Sequence, residues 1–195
     1  DVPVVGTFQA QNIATALGLG LASGLDLGEM LKVLPKLQNV PGRMQIVPSS
    51  TAQPTVVVDY AHTSDALEGA LKALKPLCKG KLWVVFGCGG DRDAGKRPLM
   101  GAVAEKIADE IIVTDDNPRT EDPAPIRQQI LAACSKGIEM PNRAQAIAHA
   151  IKNAALDDIV LIAGKGHETG QIIGKDKKPF SDVEEAQKAL KEKAA

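Results

Sequence analysis

Residues 8–37 carry apolar side chains at helical intervals: Ile13, Leu17 and Leu21 make one stripe, and Met30, Leu31 and Leu34 another beyond Gly24 and Gly28. The spacing predicts two short helices. Two helices with no sheet against them bury too little surface to be stable alone, so this segment is expected to dock on further structure. Asn39-Val40-Pro41-Gly42 then breaks the pattern and marks a boundary.

Beyond it, short apolar runs alternate with amphipathic stretches, the sequence form of a parallel sheet wrapped by helices. Runs 55–58, 81–86, 110–114 and 159–163 read as strands. Stretches 64–77, 96–108, 125–134 and 143–153 read as helices, with Leu99, Val103 and Ile107 as an apolar stripe on the second. Segment 171–181 reads as a hairpin or irregular edge, and 183–193 as a closing helix rich in Glu, Lys and Ala. The fold class expected is α/β: a Rossmann-like, mostly parallel sheet flanked by helices, preceded by a short helical segment.

Composition narrows the function. Aromatic residues make up only 3% of the 195 residues, so the core must be built from Val, Ile, Leu and Ala. The formal net charge is −1 with acids and bases interspersed, which gives no footprint for nucleic acid and favours a small polar ligand. Cys78, Cys88 and Cys134 have neither CxxC spacing nor an even count, which argues against a zinc site or a disulfide framework and for reduced thiols in a cytoplasm. No apolar run approaches the roughly 18 to 20 residues of a membrane span, and the first residues lack a basic signal-peptide region, so neither anchoring nor export is expected.

In an open parallel sheet, ligands bind beyond the carboxyl ends of the strands. Four unusual segments fall there: Asp59-Tyr60-Ala61-His62-Thr63, Gly87-Cys88-Gly89-Gly90-Asp91-Arg92-Asp93, Asp115-Asp116-Asn117-Pro118-Arg119 and Gly164-Lys165-Gly166-His167-Glu168. Together they describe a polar pocket for a zwitterionic or phosphorylated ligand. The second segment suggests a dinucleotide turn but lacks the full GxGxxG spacing, and a plain Gly-rich reversal explains it as well. His62 and His167 belong to these segments, whereas His149 lies on a helix, where a packing or solvent role is expected.

In this order the segments resemble those of the Mur ligases, ATP-dependent amide ligases of peptidoglycan synthesis, and within them the branch that adds meso-diaminopimelate. The resemblance runs through GTFQAQN, PGRM, VVVDYAHTSDAL, FGCGGDRDAGKRPLMG, DDNPR, NRAQAI and AGKGHE. It implies that residues 1–42 end a central ATPase domain and that 43–195 form the C-terminal amino-acid-binding domain. It also implies the reaction: ATP phosphorylates a carboxylate of UDP-MurNAc-L-Ala-D-Glu, and the amine of the diamino acid attacks the acyl phosphate.

Carried over by residue, the resemblance puts Arg119 on the distal carboxylate of diaminopimelate, with Asp116 and Asn117 flanking it and Arg92 on a carboxylate. Gly164 contributes backbone contacts and Glu168 holds the distal ammonium. For ATP it implies Asn12 near the adenine, Arg43 near the phosphates, and Asp59 and His62 near the ribose and phosphates. No catalytic residue and no metal ligand is implied within this chain. The family's phosphate loop, magnesium ligands, modified lysine and UDP-binding domain are expected upstream of residue 1, so these 195 residues are expected to bind the amino acid and part of ATP without turning it over.

Other readings are a free-standing module that binds diaminopimelate or muropeptide, and the lysine-adding branch of the same family. Arg119 favours a ligand with a second carboxylate, because a guanidinium offers paired donors. A purely structural role for Arg119 would have it anchor its loop through a nearby acid such as Asp122.

Overall fold

The computed structural model describes residues 6–37 and 39–194. The chain divides into two compact units, Asp1–Val40 and Pro41–Ala195. In the first, α1 (Thr7–Ala22) is followed by α2 (Leu27–Val33) and a 3-10 turn at Leu34–Lys36. Asp26 starts α2 by accepting the Glu29 N–H at 2.9 Å, a donor that would otherwise have no partner in the first turn. Ile13 and Leu17 are half-buried, but Leu19, Leu21, Leu25, Leu27, Leu31 and Val33 are exposed. As the pattern predicts, a helix pair of this size cannot cover its own apolar faces.

The second unit is built on a six-stranded sheet of order β1-β2-β6-β3-β4-β5, formed by β1 (Gln45–Val47), β2 (Thr55–Asp59), β3 (Leu82–Phe86), β4 (Glu110–Val113), β5 (Gly137–Glu139) and β6 (Ile159–Ala163). All neighbours are parallel except β1 against β2. The helices between the strands are α3 (Ser64–Leu74), α4 (Lys96–Ile107), α5 (Pro123–Leu131) and α6 (Arg143–Asn153), with α7 (Asp182–Lys193) closing the unit. The connections from β2 to β5 run outward along the sheet, and the one through α6 then returns to insert β6 between β2 and β3. Right-handed crossovers in opposite directions put helices on opposite faces. Accordingly, Val56, Val58, Trp83, Val85, Val160 and Ile162 pack with Ile147, Ala150, Ile151, Ala186 and Leu190 of α6 and α7. The alternate residues Val57, Val84, Phe86 and Leu161 are equally buried from the other side. The predicted α/β class is the observed one.

Several boundaries differ from the sequence reading. The helix expected over 64–77 is α-helical only to Leu74 and continues as a 3-10 turn containing Pro76, which has no N–H to carry the ladder on. The one expected over 125–134 begins at Pro123, because Asp122 caps it through the Ala124 N–H at 3.0 Å and proline suits a first turn. The stripe expected on α4 is not its inner face: Leu99 is 57% exposed, while Met100, Gly101, Ala104 and Arg97 are buried. That face lies against α3 and α5, and the charged Arg97 hid it from an apolar pattern. The expected tail hairpin is β7 (Gly170–Ile173) with β8 (Asp176–Pro179). The short strands β1 and β5 were not foreseen.

Candidate functional site

Because β2, β6, β3 and β4 are adjacent and parallel, the loops after Asp59, Ala163, Phe86 and Val113 leave one edge of the sheet side by side. They surround a cavity of about 350 Å³ whose lining includes His62, Arg92, Asp116, Asn117, Arg119, Gly164 and Glu168. Seven of the residues singled out from the sequence therefore share one space. Tyr60, Thr63 and Asp93, members of the same segments given no role of their own, also line it, as does Lys96 from outside them.

The loops after β3 and β4 are joined to each other. Gly90 N–H donates to Asn117 O at 2.9 Å, and the Asp91 carboxylate accepts from Thr120 N–H at 3.1 Å and from its hydroxyl at 2.8 Å. Asp91 N–H in turn donates to Glu121 Oε1 at 2.5 Å, and both oxygens of Glu121 lie 2.9 Å from Nη2 of the buried Arg97. Arg119 sits on this platform. Its Nη1 donates to Gly90 O at 2.9 Å and Asn117 O at 3.4 Å, and its backbone, at φ 53°, bonds Ile172 and Gly174 of the hairpin. Asp122 is the cap of α5 and not the partner of Arg119.

A pattern separates the arginines. Arg97, Arg127 and Arg143 are buried and each is paired with a carboxylate: Glu121 for the first, Asp115 and Glu139 for the second, Asp182 for the third. Arg92 and Arg119 line the cavity, and among the described residues their recorded hydrogen bonds go only to carbonyl oxygens. Their charge is left uncompensated by any close ion pair.

The loop after β6 supplies the opposite charge. Lys165 is fully buried, and its Nζ donates to Asn117 Oδ1 at 2.9 Å and to Glu168 Oε2 at 3.0 Å. Asn117 Nδ2 donates to the same Glu168 oxygen at 2.9 Å. Burial works against the charge of Glu168, but these two hydrogen bonds, with the charges of Lys165 and Arg119, outweigh it and hold the carboxyl below its ordinary value. Gly164, at φ 118°, has Asp116 Oδ2 2.9 Å from where a Cβ would stand, so only glycine lets that carboxylate approach the strand end. Cys88, in the loop after β3, is buried and its thiol is pushed up to about 12 by desolvation, so it is no nucleophile at neutral pH.

The residues proposed for a nucleotide fall into three groups. His62 is exposed at the cavity, its Nδ1 2.8 Å from Tyr60 O and its ring edge-on to Tyr60. Asp59 is buried beneath: Oδ2 accepts Met44 N–H at 2.7 Å and Oδ1 accepts Ala61 N–H at 2.8 Å, while burial raises its carboxyl above the ordinary value despite both bonds. Its structural work is to hold the Pro41–Met44 turn on β2. That turn presents Arg43 with its guanidinium 4.6 Å from the Tyr60 ring centroid. Gly42, at φ 68°, lies so close to the next loop that a Cβ would be 2.1 Å from His167 N. Asn12 belongs to the first unit, exposed on α1, with Nδ2 donating to Gln9 Oε1 at 3.1 Å. Among the described residues no three His, Cys, Asp or Glu side chains are grouped as metal ligands, so no step is assigned to a metal held by this chain. His149 lies on α6, beside a separate groove between α6 and α7.

Residues 42–166 match the family described as Mur ligase, glutamate ligase domain. The chain belongs to the Mur ligase family. The curated UDP-N-acetylmuramoyl-L-alanyl-D-glutamate--2,6-diaminopimelate ligase of Pseudomonas aeruginosa is 53% identical over 191 residues, covering 96% of this chain and 39% of the relative. The ligase of the same name from Coxiella burnetii is also 53% identical over 191 residues. A solved structure of a 2,6-diaminopimelate ligase superposes on the whole chain with a TM-score of 0.78 and 42% identity, over 40% of its own length. The chain thus spans about two fifths of the length of these relatives. The MurC ligase of Thermotoga maritima, at 17% identity and a TM-score of 0.70, shares the fold.

Proposed function

We propose that this chain is the amino-acid-binding, C-terminal portion of the ligase that joins meso-diaminopimelate to UDP-MurNAc-L-Ala-D-Glu at the expense of ATP. One observation carries the reading: two arginines without carboxylate partners among the described residues and one ionised glutamate line the same cavity. A ligand with two carboxylates and an ammonium at its far end satisfies that set, whereas lysine leaves one guanidinium unmatched. The relatives named for 2,6-diaminopimelate support the same ligand.

Within this reading Arg119 grips the distal carboxylate, Arg92 a carboxylate and Glu168 the distal ammonium, with Asp116, Asn117 and the Gly164 backbone shaping the space between. The amine that attacks the acyl phosphate must be held close and unprotonated, so orientation is the contribution of this portion to the rate. Arg43, on its turn, and His62 reach toward ATP phosphates and ribose. Asp59 acts on the nucleotide through the turn that carries Arg43, and Asn12 is assigned to the adenine by the family resemblance. A solved complex of E. coli FolC with ADP, 26% identical with a TM-score of 0.67, supports nucleotide use. The first unit, Asp1–Val40, corresponds to the end of the ATPase domain, and the phosphate loop, the magnesium ligands and the UDP-binding domain belong to the rest of the ligase, in the cytoplasm.

Calorimetry of this chain with meso-diaminopimelate and with L-lysine tests the ligand. Diaminopimelate is expected to bind at least about 30-fold more tightly, the smaller end of the effect of truncating one partner of a charge pair that binding desolvates. Equal affinities overturn the reading. With ATP and both substrates this chain is expected to release no phosphate, and turnover of about 1 per second or faster would show that it holds a complete catalytic apparatus.

A further inference from the structure

We propose that Lys165 is a positioning residue for amino-acid recognition: its buried ammonium, together with the Asn117 amide that it fixes, locks the Glu168 carboxylate in the orientation that receives the distal ammonium of the ligand. The proposal rests on the ligand reading above and adds to it a residue that touches no substrate.

A lysine with no exposed side-chain surface is rare unless its charge is matched. Here Nζ has two acceptors, Asn117 Oδ1 and Glu168 Oε2. Asn117 Oδ1 also accepts Ile172 N–H at 2.9 Å, so both of its lone pairs are engaged and the amide cannot flip without burying two unmatched donors. Its NH₂ group is therefore forced toward Glu168 Oε2. That oxygen takes both protein donors, whereas Oε1 has no recorded partner among the described residues and the side chain is 33% exposed on the cavity. One oxygen is fixed to the protein and the other is left for the ligand.

The alternative role for Lys165 is to stabilise the loop alone. The two differ in what happens once Glu168 is gone. A residue that acts through Glu168 has little further effect on ligand affinity in its absence, whereas a structural residue weakens binding by the same factor in either background. The charges that bear on Glu168 are Lys165, Arg119 and the buried Arg143, and burial opposes its ionisation. Removing the nearest cation should therefore move its titration upward.

The test uses Lys165→Met, Glu168→Gln and the double variant of this chain. Meso-diaminopimelate affinity is measured by calorimetry, and the Glu168 carboxyl is titrated by carbon-13 NMR in the wild type and in Lys165→Met. We expect the single lysine variant to lose at least about tenfold in affinity, the effect of one charge-assisted hydrogen bond, and to titrate Glu168 at higher pH than the wild type. In the Glu168→Gln background the same substitution should change affinity by no more than about twofold. Equal losses in both backgrounds, or an unmoved Glu168 titration, overturn the proposal. If Lys165→Met does not fold, Lys165→Gln, which keeps a neutral donor, is read by the same criteria. Failure of the wild type to bind diaminopimelate sinks the ligand reading, and an unmoved titration in a chain that binds it sinks Lys165 alone.

Discussion

Arg119 combines a demanding backbone with a half-buried charge facing the cavity, and substitutions separate the two. Its φ of 53° is left-handed, a conformation that costs a residue with a Cβ about 1 to 2 kcal/mol and glycine almost nothing. Glycine gives back about 0.4 to 1 kcal/mol of that through the greater freedom of its unfolded chain. Arg119→Gly should therefore be more stable than Arg119→Ala by about 0.5 to 1 kcal/mol, or about 1 to 4 °C in Tm for a domain of this size. Both lose the same guanidinium with its bond to Gly90 O. In the complete ligase both should lower kcat/KM for diaminopimelate by about 30-fold to several thousand-fold, the range for removing one partner of a desolvated charged pair. Arg119→Lys should recover only part, since an ammonium lacks the paired donors of the fork. Poor use of L-lysine should barely change in any of them. Thermal melts and kinetics with the two amino acids give the comparison. If activity follows the order of Tm, with the glycine variant better than the alanine one, or if both amino acids lose in parallel, Arg119 is a loop anchor and not a reader of the ligand.

Three further outcomes follow from other parts of the second unit. Arg143→Met leaves Asp182 buried without its two-pronged partner, at 2.7 and 2.8 Å, and should cost about 3 to 5 kcal/mol in denaturant titration, most of it recovered by adding Asp182→Leu. Gly42→Ala should destabilise by more than about 1 kcal/mol, because its Cβ would meet His167 N at 2.1 Å on a backbone at φ 68°, and a smaller loss in the same titration would show that the turn yields freely. Asp158 and Glu168 have carboxyls held below their ordinary values, so their contribution is present above those values and is lost as pH falls through the lowered folded ones. Stability should therefore decline on acidification below the unperturbed 4.5 of glutamate, less steeply in Glu168→Gln, and an identical acid slope for that variant would contradict the assignment.

The central strands were legible because a strand buried on both faces must be apolar at every position: β6, Ile159–Ala163, is buried throughout and matches its predicted range residue for residue. The edge strands were not. β1 and β5 are three residues long, and Ile46 and Ile138 are exposed, so neither presents a run or an alternation to read. The insertion of β6 between β2 and β3 is also absent from the sequence, yet the pocket was found. Every parallel strand delivers its following loop to the same edge whatever the lateral order, so four chemically unusual strand ends converge under any arrangement of neighbours. Lys165 escaped because its type argues for the surface. The readable signal was its place between two glycines at the end of a strand buried at every position, where little room for solvent remains.

Charge matching explains why the two cavity arginines differ from the three buried ones. A buried guanidinium left without an acid is costly, and the fold meets that cost at Arg97, Arg127 and Arg143 with carboxylates from neighbouring elements. Arg119 is held in place by the carbonyls of Gly90 and Asn117, which orient it without cancelling its charge. Asp91, an acid of the adjoining loop whose charge Arg119 feels, is drawn instead onto Thr120, which ties the two loops together, and Glu121 is taken up by Arg97. Orientation is thus supplied by neutral partners, and in the proposed function neutralisation is left to the ligand. An arginine already paired with a protein carboxylate would have to break that pair before taking up another, and discrimination between one and two carboxylates would fall by the strength of the pair given up.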